Sequence, residues 1–197
     1  MKPALFASRR SFLHTSGGAT LSAAAIGLLA GVGSSARAEA TGASADMMKS
    51  DVGILNVALG LEHEAINAYQ LGAGSGLLQK PVLDTALYFQ SHHKAHRDAL
   101  IATIRQLGGT PVAEKPLDDY ARALNAGAVK SQADILMLAA RLELGATNAY
   151  LGVIPALKDV KLGQVAARLA ADETMHWTVL SQALGQMLPQ RALSFGA

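Results

Sequence analysis

Glu62-His63-Glu64-Ala65-Ile66-Asn67-Ala68-Tyr69 returns 81 residues later as Glu143-Leu144-Gly145-Ala146-Thr147-Asn148-Ala149-Tyr150, with Glu, Ala, Asn, Ala and Tyr at matching places. About thirty residues beyond each copy stands a second matched pair, His93-x-x-His96 and Glu173-x-x-His176, offset by 80. A nearly constant offset across two motifs marks an internal repeat. The unit is too long for a solenoid and suits a helical hairpin, so the chain reads as two copies of one helix pair.

Working outward, Ile54, Val57, Ala58, Leu61, Ala65, Ala68 and Tyr69 recur at three and four residues, the spacing of one long amphipathic helix that ends in the glycine run at 72–76. A second helix is expected after Pro81, carrying Leu83, Ala86, Leu87, Gln90, His93, Leu100 and Ile104 until Gly108-Gly109 stops it. Residues 110–130 hold Pro111, Pro116 and Gly127 around a short helix at 117–124, a length that suits a crossover along a bundle rather than a tight turn. Ser131 caps a third helix through Ile135, Leu138, Leu142, Ala146 and Ala149 to about Val153, where Pro155 breaks it. The fourth begins near Val160 and carries Val165, Leu169, Glu173, His176, Leu180 and Leu184. The fold class is therefore all-α, a four-helix bundle of two αα-hairpins joined by a long crossover.

The first forty residues are of another kind. Ser8-Arg9-Arg10-Ser11-Phe12-Leu13, an Ala/Gly/Leu-rich stretch to Gly33, and Ala36-Arg37-Ala38 are the three parts of a twin-arginine export signal. Cleavage after Ala38 is preferred to cleavage after Ala40. The expected organisation is a signal over 1–38, a small-residue tether over 39–50 and the bundle over 51–190, with a periplasmic destination. Twin-arginine export carries chains already folded, often with a cofactor loaded before export.

Residues 1–38 hold four basic side chains, Lys2, Arg9, Arg10 and Arg37, and no acidic one; 17 Lys and Arg less these four leaves 13 against 15 Asp and Glu. The exported chain of 159 residues would be slightly acidic, without the electrostatic footprint of a nucleic-acid binder. Zero cysteines exclude disulfides, thiolate metal sites and cysteine nucleophiles. Beyond the signal, no apolar run is long enough for stable membrane insertion.

The chemistry follows from where the polar residues fall. At 100° per residue Glu62 shares a stripe with Ala58, Leu61, Ala65 and Tyr69, and Glu143 one with Ala139, Ala146 and Tyr150, so both carboxylates face the interior. A buried carboxylate needs a proton, a paired cation or a metal. Residues three apart on a helix are about 4.5 Å apart along the axis, so both members of each i, i+3 pair can reach one ion. Glu62, His93, His96, Glu143, Glu173 and His176 are thus the candidate metal ligands, an oxygen and imidazole set suited to iron, with manganese, zinc or copper as other choices. The alternative is a decayed site in which these groups hydrogen-bond one another in the core.

Taken together, these motifs resemble the ferritin-like superfamily of carboxylate-bridged dimetal proteins, whose template is one Glu from each of two helices and Glu-x-x-His from each of the others. Glu62-x-x-Ala65-Ile66-Asn67-x-Tyr69 is especially similar to the first ligand helix of bacterioferritins, and the exported setting resembles the periplasmic, desiccation-related ferritin-like proteins. The resemblance implies terminal ligands at Glu62 and Glu143, a bridging Glu173, and terminal imidazoles at His96 and His176. The resemblance carries no defined activity for the exported members; the expectation is metal-dependent redox chemistry, such as reaction of ferrous iron with oxygen or peroxide, and the alternative a non-catalytic, stress-related or structural bundle with one structural ion or a decayed site.

His93 departs from the template, which has a second bridging Glu there, and leaves three carboxylates instead of four. That change opens the way to a single metal, or one tight and one weak, and speaks against ferroxidase chemistry. His92 and Asp172, equivalent in the repeat, are expected behind the ligands or at the surface; His63 and Glu64 are expected to face solvent, and the hydroxyls of Tyr69 and Tyr150 to be satisfied by a facing helix. Metal ions are the expected partners, and a homodimer through an exposed helix face is compatible with the pattern.

Overall fold

The computed structural model describes residues 42–195, and the export-signal expectation falls on 1–38, outside the described residues. Five helices account for most of the chain: α1 (Gly42–Gly74), α2 (Lys80–Gln106), α3 (Leu117–Ala123), α4 (Gln132–Val153) and α5 (Val160–Ala183). Short 3-10 turns at Ala126–Ala128 and Ile154–Ala156 complete the set, and there is no strand among the described residues. α1 packs along α2 and α4 along α5 as two hairpins, α1 also meets α4, and α3 lies against α1. This is the predicted bundle.

The helix ends follow local chemistry. Ser131 accepts a hydrogen bond from the Asp134 amide and Asp159 one from the Lys161 amide, capping α4 and α5. Pro81 lies in the first turn of α2, where its missing N–H costs no intrahelical bond. At the other end Gly108 takes a left-handed φ of 77°, and the Gly109 amide closes back on the Ile104 carbonyl at 2.8 Å. Gly109 must also be small, since a Cβ there would lie 2.5 Å from Val52 Cγ1.

Two expectations shift. α1 reaches back to Gly42, so most of the segment read as a tether is helix, and Met47 and Met48 are exposed on its first turns. The buried stripes also sit one position away from those read off α1 and α4. Leu55, Ala58, Leu59, Glu62, Ile66 and Tyr69 are buried in α1, whereas Val57 is exposed; in α4 the buried set is Leu136, Ala140, Glu143, Thr147 and Tyr150. A helix touching two neighbours buries a broad face, and apolar spacing alone does not locate its centre.

Two apolar clusters lie along the bundle, one around Leu59, Leu100, Ile104, Tyr150 and Leu162, the other around Tyr69, Phe89, Leu136 and Leu180. Asp51, 3% exposed, accepts from the Lys158 and Asp159 amides and ties α1 to the α4–α5 turn. No helix among the described residues is long and apolar enough to cross a membrane.

Candidate metal centre

The four long helices deliver all six predicted residues to one place. Glu62, Glu143, Glu173, His93 and His176 are at most 2% exposed and His96 is 8% exposed. They form two overlapping groups of four, Glu62/His93/His96/Glu173 and His93/Glu143/Glu173/His176, in each of which one donor atom per residue lies within 4.8 Å of the others. His93 and Glu173 belong to both.

The sharing is atom by atom. Glu173 Oε1 is 3.2 Å from His96 Nδ1, while its Oε2 is 3.1 Å from His176 Nδ1. His93 Nδ1 is 2.8 Å from Glu62 Oε2, and its Nε2 is 3.2 Å from Glu143 Oε1. The imidazole at the position where the template has Glu thus spans the two groups with its two nitrogens, as the carboxylate opposite does with its two oxygens. A neutral ring has only one lone pair to offer, so this spanning position is an addition to what the spacing implied.

Each outer ligand is braced by the other copy of the repeat. The Tyr69 hydroxyl donates to Glu143 Oε1 at 2.5 Å, and the Tyr150 hydroxyl donates to Glu62 Oε1. His96 Nε2 is 3.2 Å from Asp172 Oδ2, and His176 Nε2 is 2.9 Å from His92 Nδ1. Both terminal imidazoles therefore turn Nδ1 inward and use Nε2 for orientation, the arrangement that fixes a ligating ring. Asp172 and His92, equivalent in the repeat, take equivalent posts with different chemistry, one anionic and one an imidazole.

Electrostatics reflect the crowding. Burial alone would raise the Glu62 carboxyl, but hydrogen bonds from His93 and His96 outweigh it and lower it to about 2. Glu143 is held well below the carboxylate range against the same burial, by His176 and His93. Burial disfavours charge on His93 and His96 too, yet Glu143 and Glu62 raise the first well above the imidazole range, and Asp172, Glu173 and Glu62 push the second up to about 12. Glu173 moves the other way, its carboxyl raised chiefly by burial. Burial and the neighbouring His176 lower His92 from the ordinary imidazole range.

Three buried atoms at the centre of this cluster make no well-aligned hydrogen bond, although each has an oppositely charged ligand group 3.2–3.4 Å away: His96 Nδ1, Glu143 Oε2 and Glu173 Oε1. Buried donors and acceptors of this kind are rarely left unmatched in a folded protein. All three belong to inward-facing ligand groups, and the donor set of imidazole nitrogen and carboxylate oxygen fits a first-row divalent ion.

His63 is a correction. Expected at the surface, it is 4% exposed, with Nε2 3.3 Å from the Val112 carbonyl. The crossover covers this face of α1. The Asn56 side chain donates to the Thr110 carbonyl and accepts from the Val112 amide, and Asn67 donates to Glu114 Oε1 at 2.6 Å. The signal was present as a polar row at 56, 63 and 67, seven and four residues apart on one helix face. Tyr120, in α3, is buried beneath the same crossover, and Trp177 packs edge-on against Phe195.

Among solved structures, a conserved hypothetical protein, rv2844, from Mycobacterium tuberculosis is similar with a TM-score of 0.60 at 23% identity, over 75% of this chain and 99% of that one. At that identity the likeness concerns the fold. No curated protein matches the sequence. The ferritin-like domain family matches residues 50–186, which takes in both hairpins, the crossover and every residue of the Glu/His cluster. By fold, by repeat and by this match, the chain belongs to the ferritin-like domain family.

Proposed function

We propose that this is an exported metalloprotein that holds two metal ions side by side between its helices and uses them in redox chemistry with a small oxidant. The observation that carries the reading is the sharing of His93 and Glu173 between two four-residue groups, with unmatched donor atoms of both groups turned inward. Glu62 and His96 would hold one ion and Glu143 and His176 the other, with the Glu173 carboxylate between them and the single lone pair of a neutral His93 ring available to one of the two. Bound there, iron or manganese supplies electron exchange with dioxygen or peroxide.

The chain's own groups set the conditions for that chemistry. Tyr69 and Tyr150 hold one oxygen of Glu143 and Glu62 respectively, which leaves the second oxygen to face inward. Asp172 accepts from His96 and makes it the more basic imidazole, whereas His92 gives His176 a weaker brace. Burial of all six ligands excludes bulk water. Export by the twin-arginine route, supported by Ser8 to Leu13, is part of the same proposal, because a cluster this deeply buried is more readily filled before or during folding than after it.

Metal content of the mature protein, recovered without chelator and measured by elemental mass spectrometry, tests the reading. About two iron or manganese ions per chain, reduced to one or none by Glu173→Ala, are expected. One zinc or copper insensitive to redox state favours the second reading, a non-catalytic bundle with a structural ion, for which His93 in place of a fourth carboxylate speaks. A chain that binds no metal on reconstitution overturns both.

A further inference from the structure

We infer that the bundle carries, beside the Glu/His cluster, a binding site for a small, uncharged, apolar molecule, seated against the ring of Tyr69. A cavity of about 270 Å³ lies at the end of the bundle where α1 turns into α2, with walls from both hairpins and from the crossover residues Leu124, Ala126 and Val129. A cavity of about 150 Å³ is enough to take up benzene when its lining is apolar. No charged side chain or histidine among the described residues lines this one, and its polar side chains are limited to Tyr69, Ser75 and Thr85. Such a lining offers an anion, a cation or a sugar nothing to replace its water, and it rewards burial of hydrocarbon.

The two copies of the repeat differ in side-chain size at two positions that border this space. At the equivalent place in the other copy, Val153 stands where this one has Gly72, and Leu162 stands where it has Val82. Val153 and Leu162 pack in the core cluster around Tyr150; Val82 packs against the cluster around Tyr69 and, with Gly72, also lines the cavity. Half-buried Ile135, Leu138 and Leu142, the apolar stripe read from α4, also line it. Leu77, in the α1–α2 turn, and Val179, on α5, both line the cavity and are 38% and 45% exposed, so it opens to solvent at this end of the bundle.

Tyr69 gives the site its meaning. Its ring borders the cavity, its hydroxyl donates to Glu143 Oε1 at 2.5 Å, and its ring centroid is 5.5 Å from that of His93. An occupant would be one side chain away from the candidate metal ligands. That this is the class of molecule the centre meets rests on the functional reading above; the binding site itself does not.

Toluene is the probe, titrated into metal-free protein with 13C-labelled Ala, Leu and Val methyl groups and followed by NMR. Saturable shifts confined to methyls such as Ala68, Leu136 and Ala139, with toluene-to-methyl NOEs, are expected. Benzoate, the charged analogue, should produce none. The double substitution Gly72→Val with Val82→Leu, which installs the larger residues of the other copy and needs Ile135 to give way by a few tenths of an ångström, should weaken toluene at least tenfold while helix content by circular dichroism and metal uptake remain unchanged. Should that variant fail to fold, Ala139→Leu carries the same test. No saturable shift in the unaltered protein, or equal affinity in a folded filled variant, overturns the proposal. Metal uptake is measured separately without toluene, so that failure of one reading is distinct from failure of the other.

Discussion

His93 stands between Glu62 and Glu143 with a nitrogen toward each, and in the absence of metal its charge takes the place of a cation between two buried carboxylates. Replacing it with Glu restores four carboxylates and removes that charge. His93→Glu is therefore expected to lose on the order of 3–5 kcal/mol of stability in the presence of chelator, as breaking a buried pair does, and to bind two divalent ions more tightly than the parent. Urea denaturation with and without metal checks both. Stability unchanged in chelator would show that His93 is not charged there. Tyr69→Phe and Tyr150→Phe each remove a buried donor to a carboxylate and are expected to cost about 1.5–3 kcal/mol in the same assay. The loss should shrink when metal neutralises Glu143 or Glu62. At this scale the ligand residues were legible in the sequence because the repeat aligns them, but the spanning pose of the His93 ring was not, since spacing along one helix says nothing of which nitrogen faces which neighbour.

At the scale of elements, one contact set ties the crossover to α1 and another ties α1 to the second hairpin. Asn56 meets both the Thr110 carbonyl and the Val112 amide, and Asn67 reaches Glu114. Asn56→Ala should leave the helices intact and raise amide exchange across 110–116 by roughly tenfold, the equivalent of about 1.4 kcal/mol of local opening. Exchange unchanged there would mean that burial of Tyr120, rather than Asn56, holds the crossover. The helix boundaries were largely readable because caps and breakers act locally: Ser131, Pro81 and Gly108 do what their residue types do anywhere. The face of α1 under the crossover was not, because His63 becomes buried only when residues more than forty positions away fold over it.

Across the whole molecule, protons and metal compete for one set of atoms. Glu62, lowered to about 2 from 4.5, contributes stability that is present above about pH 4.5 and lost as the pH falls towards 2. His96, raised from 6.5 to about 12, contributes fully below pH 6.5 and loses its share as the pH rises towards 12. Metal-free protein is thus expected to be most stable between about pH 4.5 and 6.5. Metal binding must displace the histidine protons, so the stabilisation that added metal brings should grow as pH rises through and above that window. Melting curves from pH 4 to 9, with chelator and with added metal, should diverge towards high pH. Parallel curves would mean that the ion binds elsewhere than on these imidazoles.

The sequence by itself determined the two hairpins, the crossover, the all-α class and the six residues that would meet, because helical period and a duplicated motif are properties of local spacing. It did not determine which side of α1 would be covered, where the centres of the buried stripes lie, or that Tyr69 and Tyr150 would each brace the other copy's glutamate. Those depend on how the helices rotate against one another. The cavity beside Tyr69 was likewise decided by tertiary structure: apolar side chains from α1, α2, α4, α5 and the crossover enclose space together only at the rotations and separations that this bundle gives them.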